Sequence, residues 1–188
     1  MTAIVALKDE KTKCIYLGAD SLASNGMQSS RVSDPKIFKN GEFIIAYAGS
    51  FRSGQILAYK FKPPQIPKQS NKLFSYMVNE FVEELRETLS KTGRIRKEME
   101  QENASPLEFL VAIRGRLFSV QQDFSVLEPM DGYAAAGSGE TFCIGSLYST
   151  KELPAEKRIK LALQAAAHHD PNVSEPFVIK KVKIKDIT

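Results

Sequence analysis

The chain opens Met1-Thr2-Ala3, and Thr2 is the first residue with the means to do chemistry. An initiator methionine is normally removed ahead of a small residue such as threonine. The chain would then begin with one residue carrying both a hydroxyl and a free α-amine. A hydroxyl is a weak nucleophile until a base takes its proton. An unperturbed α-amine, with a pKa of about 7.7 to 8.0, lies near enough to neutral pH to serve as that base. A retained Met1 would turn the amine into an amide and abolish the base. By itself Thr2 is one threonine behind a start codon, so its meaning depends on what stands with it.

The other reactive residue types offer less. Cys14 and Cys143 sit in the apolar runs Lys-Cys-Ile-Tyr and Phe-Cys-Ile-Gly, with no second Cys or His at ligand spacing, which predicts buried thiols and no zinc site. His168 and His169 adjoin Asp170 at a helix end, where histidines favour the helix dipole without doing chemistry. Lys and Arg total 26 against 22 Asp and Glu, a net charge of +4. The basic residues are mostly interleaved with acids, as from Glu80 to Glu102, which is a solvated surface and excludes a nucleic-acid footprint. No run of 18 apolar residues occurs and the N-terminus lacks a signal-peptide layout, so a soluble, cytoplasmic protein is expected. With 188 residues, 43% of them hydrophobic, the chain has the length for one domain, residues 1–188.

The elements that must position Thr2 are readable. Thr2 to Leu7 and Lys13 to Leu17 read as a hairpin, and Lys36 to Lys39 and Glu42 to Tyr47 as a second one turning at Asn40-Gly41. Phe51 to Phe61 reads as a helix stopped by Pro63-Pro64. Leu73, Phe74, Met77, Val78, Phe81, Val82, Leu85 and Leu89 form one apolar stripe of a long helix. Thr92 to Ser105 is charged and aperiodic, a loop or frayed helical extension. Strands follow at Leu107 to Ile113, Leu117 to Gln121 and Tyr133 to Ala136. A helix opens at Gly137-Ser138-Gly139, another at Pro154, and Phe177 to Ile184 closes the chain as a strand. Grouped strands and grouped helices predict an α+β domain in four layers, two stacked sheets with a helix pair on each outer side.

Thr2, Gly18-Ala19-Asp20, Lys36-Ile37, Ala48-Gly49 and Gly137-Ser138-Gly139 come in an order and spacing that resembles the proteasome β-subunit family of N-terminal-nucleophile (Ntn) threonine hydrolases, HslV in particular. The resemblance covers nearly the whole chain and is closest before residue 60. It implies a four-layer αββα fold and a threonine peptidase that needs no metal or organic cofactor. In the implied site Thr2 is the nucleophile, Lys36 lowers its pKa, Asp20 pairs with Lys36, the Gly49 N–H stabilises the oxyanion, Ser138 contacts the amine, and Asp170 supports the terminus. The family's aspartate is commonly followed three residues later by serine, and here that position is Val173 with Ser174 one place on. By analogy Ser21, Met27, Arg31, Ala46 and Gly49 would line the substrate pocket.

The implied partners are a polypeptide substrate, further copies of the chain in a homo-oligomeric ring and a separate ATP-driven unfoldase, since the chain has no phosphate-binding glycine loop of its own. Two other readings keep the fold: a non-catalytic assembly subunit, and an amidohydrolase acting on small amides. The joint presence of Thr2, Asp20 and Lys36 speaks against the first, and fold alone does not separate the second from a peptidase.

Overall fold

A computed structural model of the chain describes residues 2–24, 29–98, 101–104 and 106–184. Its first strand, β1 (Ile4–Asp9), is apolar on both sides. Successive side chains of a strand point to opposite faces, so Ile4 and Ala6 enter one buried cluster while Val5 and Leu7 enter another. Such a strand must be covered twice. Antiparallel β2 (Cys14–Ala19) pairs with β1, β12 (Tyr133–Ala136) takes the other edge of β1, and β13 (Val178–Lys183) takes the other edge of β2. A second sheet contains β5 (Ile37–Asn40), β6 (Phe43–Gly49), β9 (Leu107–Ile113), β10 (Arg116–Val120) and β11 (Val126–Leu127), in the order β11-β10-β9-β6-β5.

Three apolar clusters hold these layers together. Ile4, Leu17, Ile37, Ala46 and Leu110 pack between the two sheets. On the outer face of the second sheet, Phe43, Ile45 and Phe109 meet Leu57 of α1 (Phe51–Tyr59) and Leu85 of α3 (Val82–Lys91). On the outer face of the first, Val5 and Tyr16 meet Cys143 of α4 (Glu140–Ser149) and Ile159 of α5 (Ala155–His169). The α+β, αββα architecture expected from the element order is the one observed.

Gly18 marks how closely α5 lies on the first sheet. A Cβ there would sit 2.6 Å from Ile159 Cγ2 and 2.9 Å from Leu163 Cδ1. Overpacking of this kind typically costs about 1–3 kcal/mol, so Gly18→Ala is expected to lower the urea midpoint by a corresponding amount with the m-value unchanged.

Several elements differ from expectation. The β5–β6 turn lies one residue later, because Asn40 pairs with Phe43. The Asn40 amide is engaged elsewhere, donating to the Leu57 and Phe61 carbonyls at the end of α1. Residues 95–98 and 101–104 form the antiparallel pair β7 (Ile95–Glu98) and β8 (Gln101–Ala104), not a loop or helical extension. A further short pair, β3 (Leu22–Ser24) and β4 (Ser29–Arg31), follows β2. The long helix is broken into α2 (Leu73–Tyr76), a π-helical turn (Met77–Phe81) and α3. The wider turn shifts the apolar stripe to Leu73, Tyr76, Met77, Phe81, Val82, Leu85 and Leu89, and leaves Phe74 and Val78 exposed.

Candidate active site

Strand register brings the expected residues to one end of the sandwich. Ile4 lies between Ala136 of β12 and Ala19 of β2, so Thr2 just before β1 meets the residues following both neighbours, Gly137-Ser138 and Asp20. Across the inter-sheet core, β5 begins just after Lys36, whose carbonyl accepts from Tyr47 N.

Lys36 is the centre of the arrangement. Its Nζ donates to Thr2 Oγ1 at 2.8 Å, to Asp20 Oδ1 at 2.8 Å and to the Leu22 carbonyl at 2.7 Å. An ammonium has three protons and no acceptor, so three acceptors at these distances fit the charged form completely. Burial nonetheless pushes its pKa below the ordinary lysine value of 10.5, against the charge and hydrogen bond of Asp20, which raise it. Asp20 is fixed in turn by Ala3 N at 3.1 Å and Leu22 N at 3.0 Å. Thr2, Asp20 and Lys36 are 2%, 1% and 3% exposed, where ionic contacts are screened little by solvent.

On the other side of Thr2, its N–H donates to Ser138 Oγ at 3.2 Å. The turn carrying Ser138 is shaped by Gly137, at φ +91°, where a Cβ would fall 2.3 Å from the Thr2 carbonyl oxygen. Asp170 caps the end of α5 beside Ser138. Burial pushes its carboxyl up, but the nearby Ser138 hydroxyl and the Asn172 donors outweigh that and hold it below the ordinary value. Its Oδ1 accepts from Asn172 N at 2.9 Å and Asn172 Nδ2 at 3.0 Å. Asn172 thus takes hold of Asp170 where no serine stands, while Val173 is buried against the α4–α5 layer.

Thr2, Gly49 and Ser138 line a common cleft of about 460 Å³. Gly49 has φ +103°, and a Cβ on it would lie 2.0 Å from the Pro106 carbonyl oxygen, so only glycine fits this wall. Ala46 does not line the cleft. It faces inward between the sheets, paired with Ile37 and Leu110; Ala48, two residues on and on the same face of β6, stands at the strand end where the cleft opens. Arg31 lies exposed on β4, and Met27 falls outside the described residues. Both cysteines are buried and neither is in a disulfide. Burial, then the charges of Asp20 and Glu140, push the Cys143 thiol up to about 12. His169, the last residue of α5, stacks on Phe142. Among the described residues no cluster of His, Cys, Asp and Glu could hold a metal ion, and no helix is long and apolar enough to cross a membrane.

Sequence reading missed three contributors. The Leu22 carbonyl on Lys36 is backbone and leaves no signal, and Asn172 shows only as an Asx residue past a helix end. Glu108 carried a signal, since it interrupts the otherwise apolar strand Leu-Glu-Phe-Leu-Val-Ala-Ile.

No sequence-family profile matches the chain. Among solved structures, it superimposes on Thiobacillus denitrificans BPH with a TM-score of 0.79 at 23% identity, over 99% of this chain and 100% of the other. The same protein in complex with epoxomicin gives 0.78 at 22%, over 98% and 100%. Eukaryotic HslV from Trypanosoma brucei gives 0.66 at 19% identity, over 97% and 99%. The chain therefore has the fold of the proteasome-type Ntn hydrolases.

Proposed function

We propose that the chain is a threonine peptidase of the proteasome type, with Thr2 as nucleophile once Met1 is removed. The observation that carries this reading is the Lys36 ammonium, 2.8 Å from Thr2 Oγ1 with its other two protons on Asp20 and Leu22. A fully occupied ammonium is no base. It stabilises negative charge on Oγ1 and so favours the alkoxide. The proton must leave by another route, and the group of suitable pKa on Thr2 itself is its amine, in contact with Ser138.

In this mechanism Thr2 Oγ attacks the substrate carbonyl while the amine, through Ser138, takes the hydroxyl proton. The tetrahedral oxyanion is held by the Gly49 N–H. The amine then protonates the leaving nitrogen, the C–N bond breaks, and an ester on Thr2 remains. Water attacks that ester, giving up a proton to the same amine, and the carboxylic acid departs with Thr2 regenerated. Asp170, held by Asn172, orients Ser138. A peptidase site of this kind is safe in a cytosol only when enclosed, so the working form is a homo-oligomeric ring with inward-facing sites, fed polypeptide by a separate ATP-dependent unfoldase.

Intact-mass measurement before and after treatment with a peptide epoxyketone tests the reading. The expected result is a mass lacking one methionine and a single stable adduct that Thr2→Ala does not form. A mass that retains Met1, with no adduct, would instead identify a non-catalytic assembly subunit.

A further inference from the structure

The cleft beside Thr2 has two lining residues that hydrolysis does not need. Glu108, on β9, is held in place by Gln122 Nε2 at 2.8 Å from its Oε1 and by Gly137 N at 3.4 Å from its Oε2. It is therefore anchored to the same turn that presents Ser138. Glu140, the first residue of α4, lines the cleft two positions after Ser138. The described residues lining the cleft include these two carboxylates and no lysine or arginine. Lys36 does not compensate them, because its charge is matched by Asp20 below the cleft floor.

Two acids here work against the proposed chemistry. They oppose an oxyanion developing on the substrate, and the charge of Glu108 disfavours ionisation of Glu140. Consistent with crowding, the Glu140 carboxyl is raised above its ordinary value, first by burial and then by the charge of Glu108. An arrangement that costs transition-state stabilisation is accounted for if a cation arrives with the substrate and offsets it.

Building on the hydrolase reading, we infer that this cleft selects substrates with a positive charge close to the scissile carbonyl, with Glu108 and Glu140 as the residues that read it. The charge has two available sources, a Lys or Arg side chain within a polypeptide or the terminal ammonium of a short peptide. Either fits a cleft of about 460 Å³. Acidic substrates are rejected by the same field, so the discrimination is both attractive and repulsive.

The test uses the Thr2→Ala chain, so that binding is read without turnover, and fluorescence anisotropy of peptides labelled at the C-terminus. Three N-acetylated series carry Lys, norleucine or Glu scanned through successive positions, and a fourth carries norleucine with a free N-terminus. For at least one position, Lys is expected to bind at least about fivefold more tightly than Glu, with norleucine between them. Tight binding of the fourth series alone assigns the charge to a terminal ammonium. Adding Glu140→Gln or Glu108→Gln should collapse the Lys-to-Glu ratio toward one, whereas a change that merely disturbs the Ser138 turn lowers all affinities together. Equal affinities, no measurable binding, or a ratio that survives both substitutions overturns the inference. Epoxyketone labelling of the unsubstituted chain judges hydrolysis separately. An adduct without charge preference removes only the inference, and charge-selective binding without an adduct removes only the hydrolase.

Discussion

Lys36→Ala is expected to lose about 10³-fold in kcat, the scale on which deletion of a single charge-stabilising donor acts, while remaining folded. The loss follows from geometry: the Lys36 ammonium donates to Thr2 Oγ1 at 2.8 Å. Survival of the fold follows from Asp20. Breaking a buried ion pair usually costs about 3–5 kcal/mol because an uncompensated charge is left behind. Here the remaining carboxylate keeps Ala3 N on Oδ1 and Leu22 N on Oδ2, so the penalty should fall below that range. Steady-state kinetics and a urea midpoint on the same preparation check both halves. Substantial residual turnover would remove the lysine from the mechanism.

The same residue sets a pH signature. Burial holds its folded pKa below 10.5, so the unfolded chain binds that proton more tightly than the folded one. The contribution of Lys36 to stability therefore becomes more favourable as pH rises from its folded toward its unfolded value. Activity needs the ammonium and falls over the same interval. Relative to Lys36→Met, which has no proton to lose, the unsubstituted chain should gain stability on the alkaline side while its kcat declines. Parallel changes in the two quantities would contradict the assignment.

Sequence reading named residues that the fold brings together because they sit at element ends, where spacing along the chain and register across the sheet agree. Thr2 precedes β1, Asp20 follows β2, Lys36 precedes β5 and Gly49 ends β6. It went astray where a side chain answers to a distant partner. Nothing local says that Asn40 will cap α1 and displace its turn by one residue, or that the cleft will open at Ala48, one pleat beyond Ala46. Residues two apart on a strand share a face, so the analogy found the right face of β6 and missed the cleft wall by one step along the strand. The β7–β8 pair failed for a related reason: its strands are charged and aperiodic, and only pairing with each other makes them strands. Glu108 was legible as an anomaly in an apolar strand, but its meaning needed Gln122 and Gly137, which are 14 and 29 residues away.

Freeing the amine of Thr2 should raise activity by about 10² to 10⁴, the range for supplying a positioned general base. A chain expressed behind a ubiquitin fusion carries an amide nitrogen at Thr2 until a deubiquitinase cuts immediately before it, so one preparation can be assayed in both states. The nitrogen lies 3.2 Å from Ser138 Oγ, and Ser138 lies beside a carboxyl held below its ordinary value. As an amide, that nitrogen donates one proton and accepts none. As an amine it accepts from Thr2 Oγ through Ser138, and the resulting ammonium faces Asp170. Lys36, Asp20 and Gly49 are unchanged by the cut, so the increase isolates the base from the rest of the site. Equal turnover before and after cleavage would show that the hydroxyl proton leaves by some route other than the amine. The mechanism would then have to find its base among the cleft carboxylates, Glu108 and Glu140.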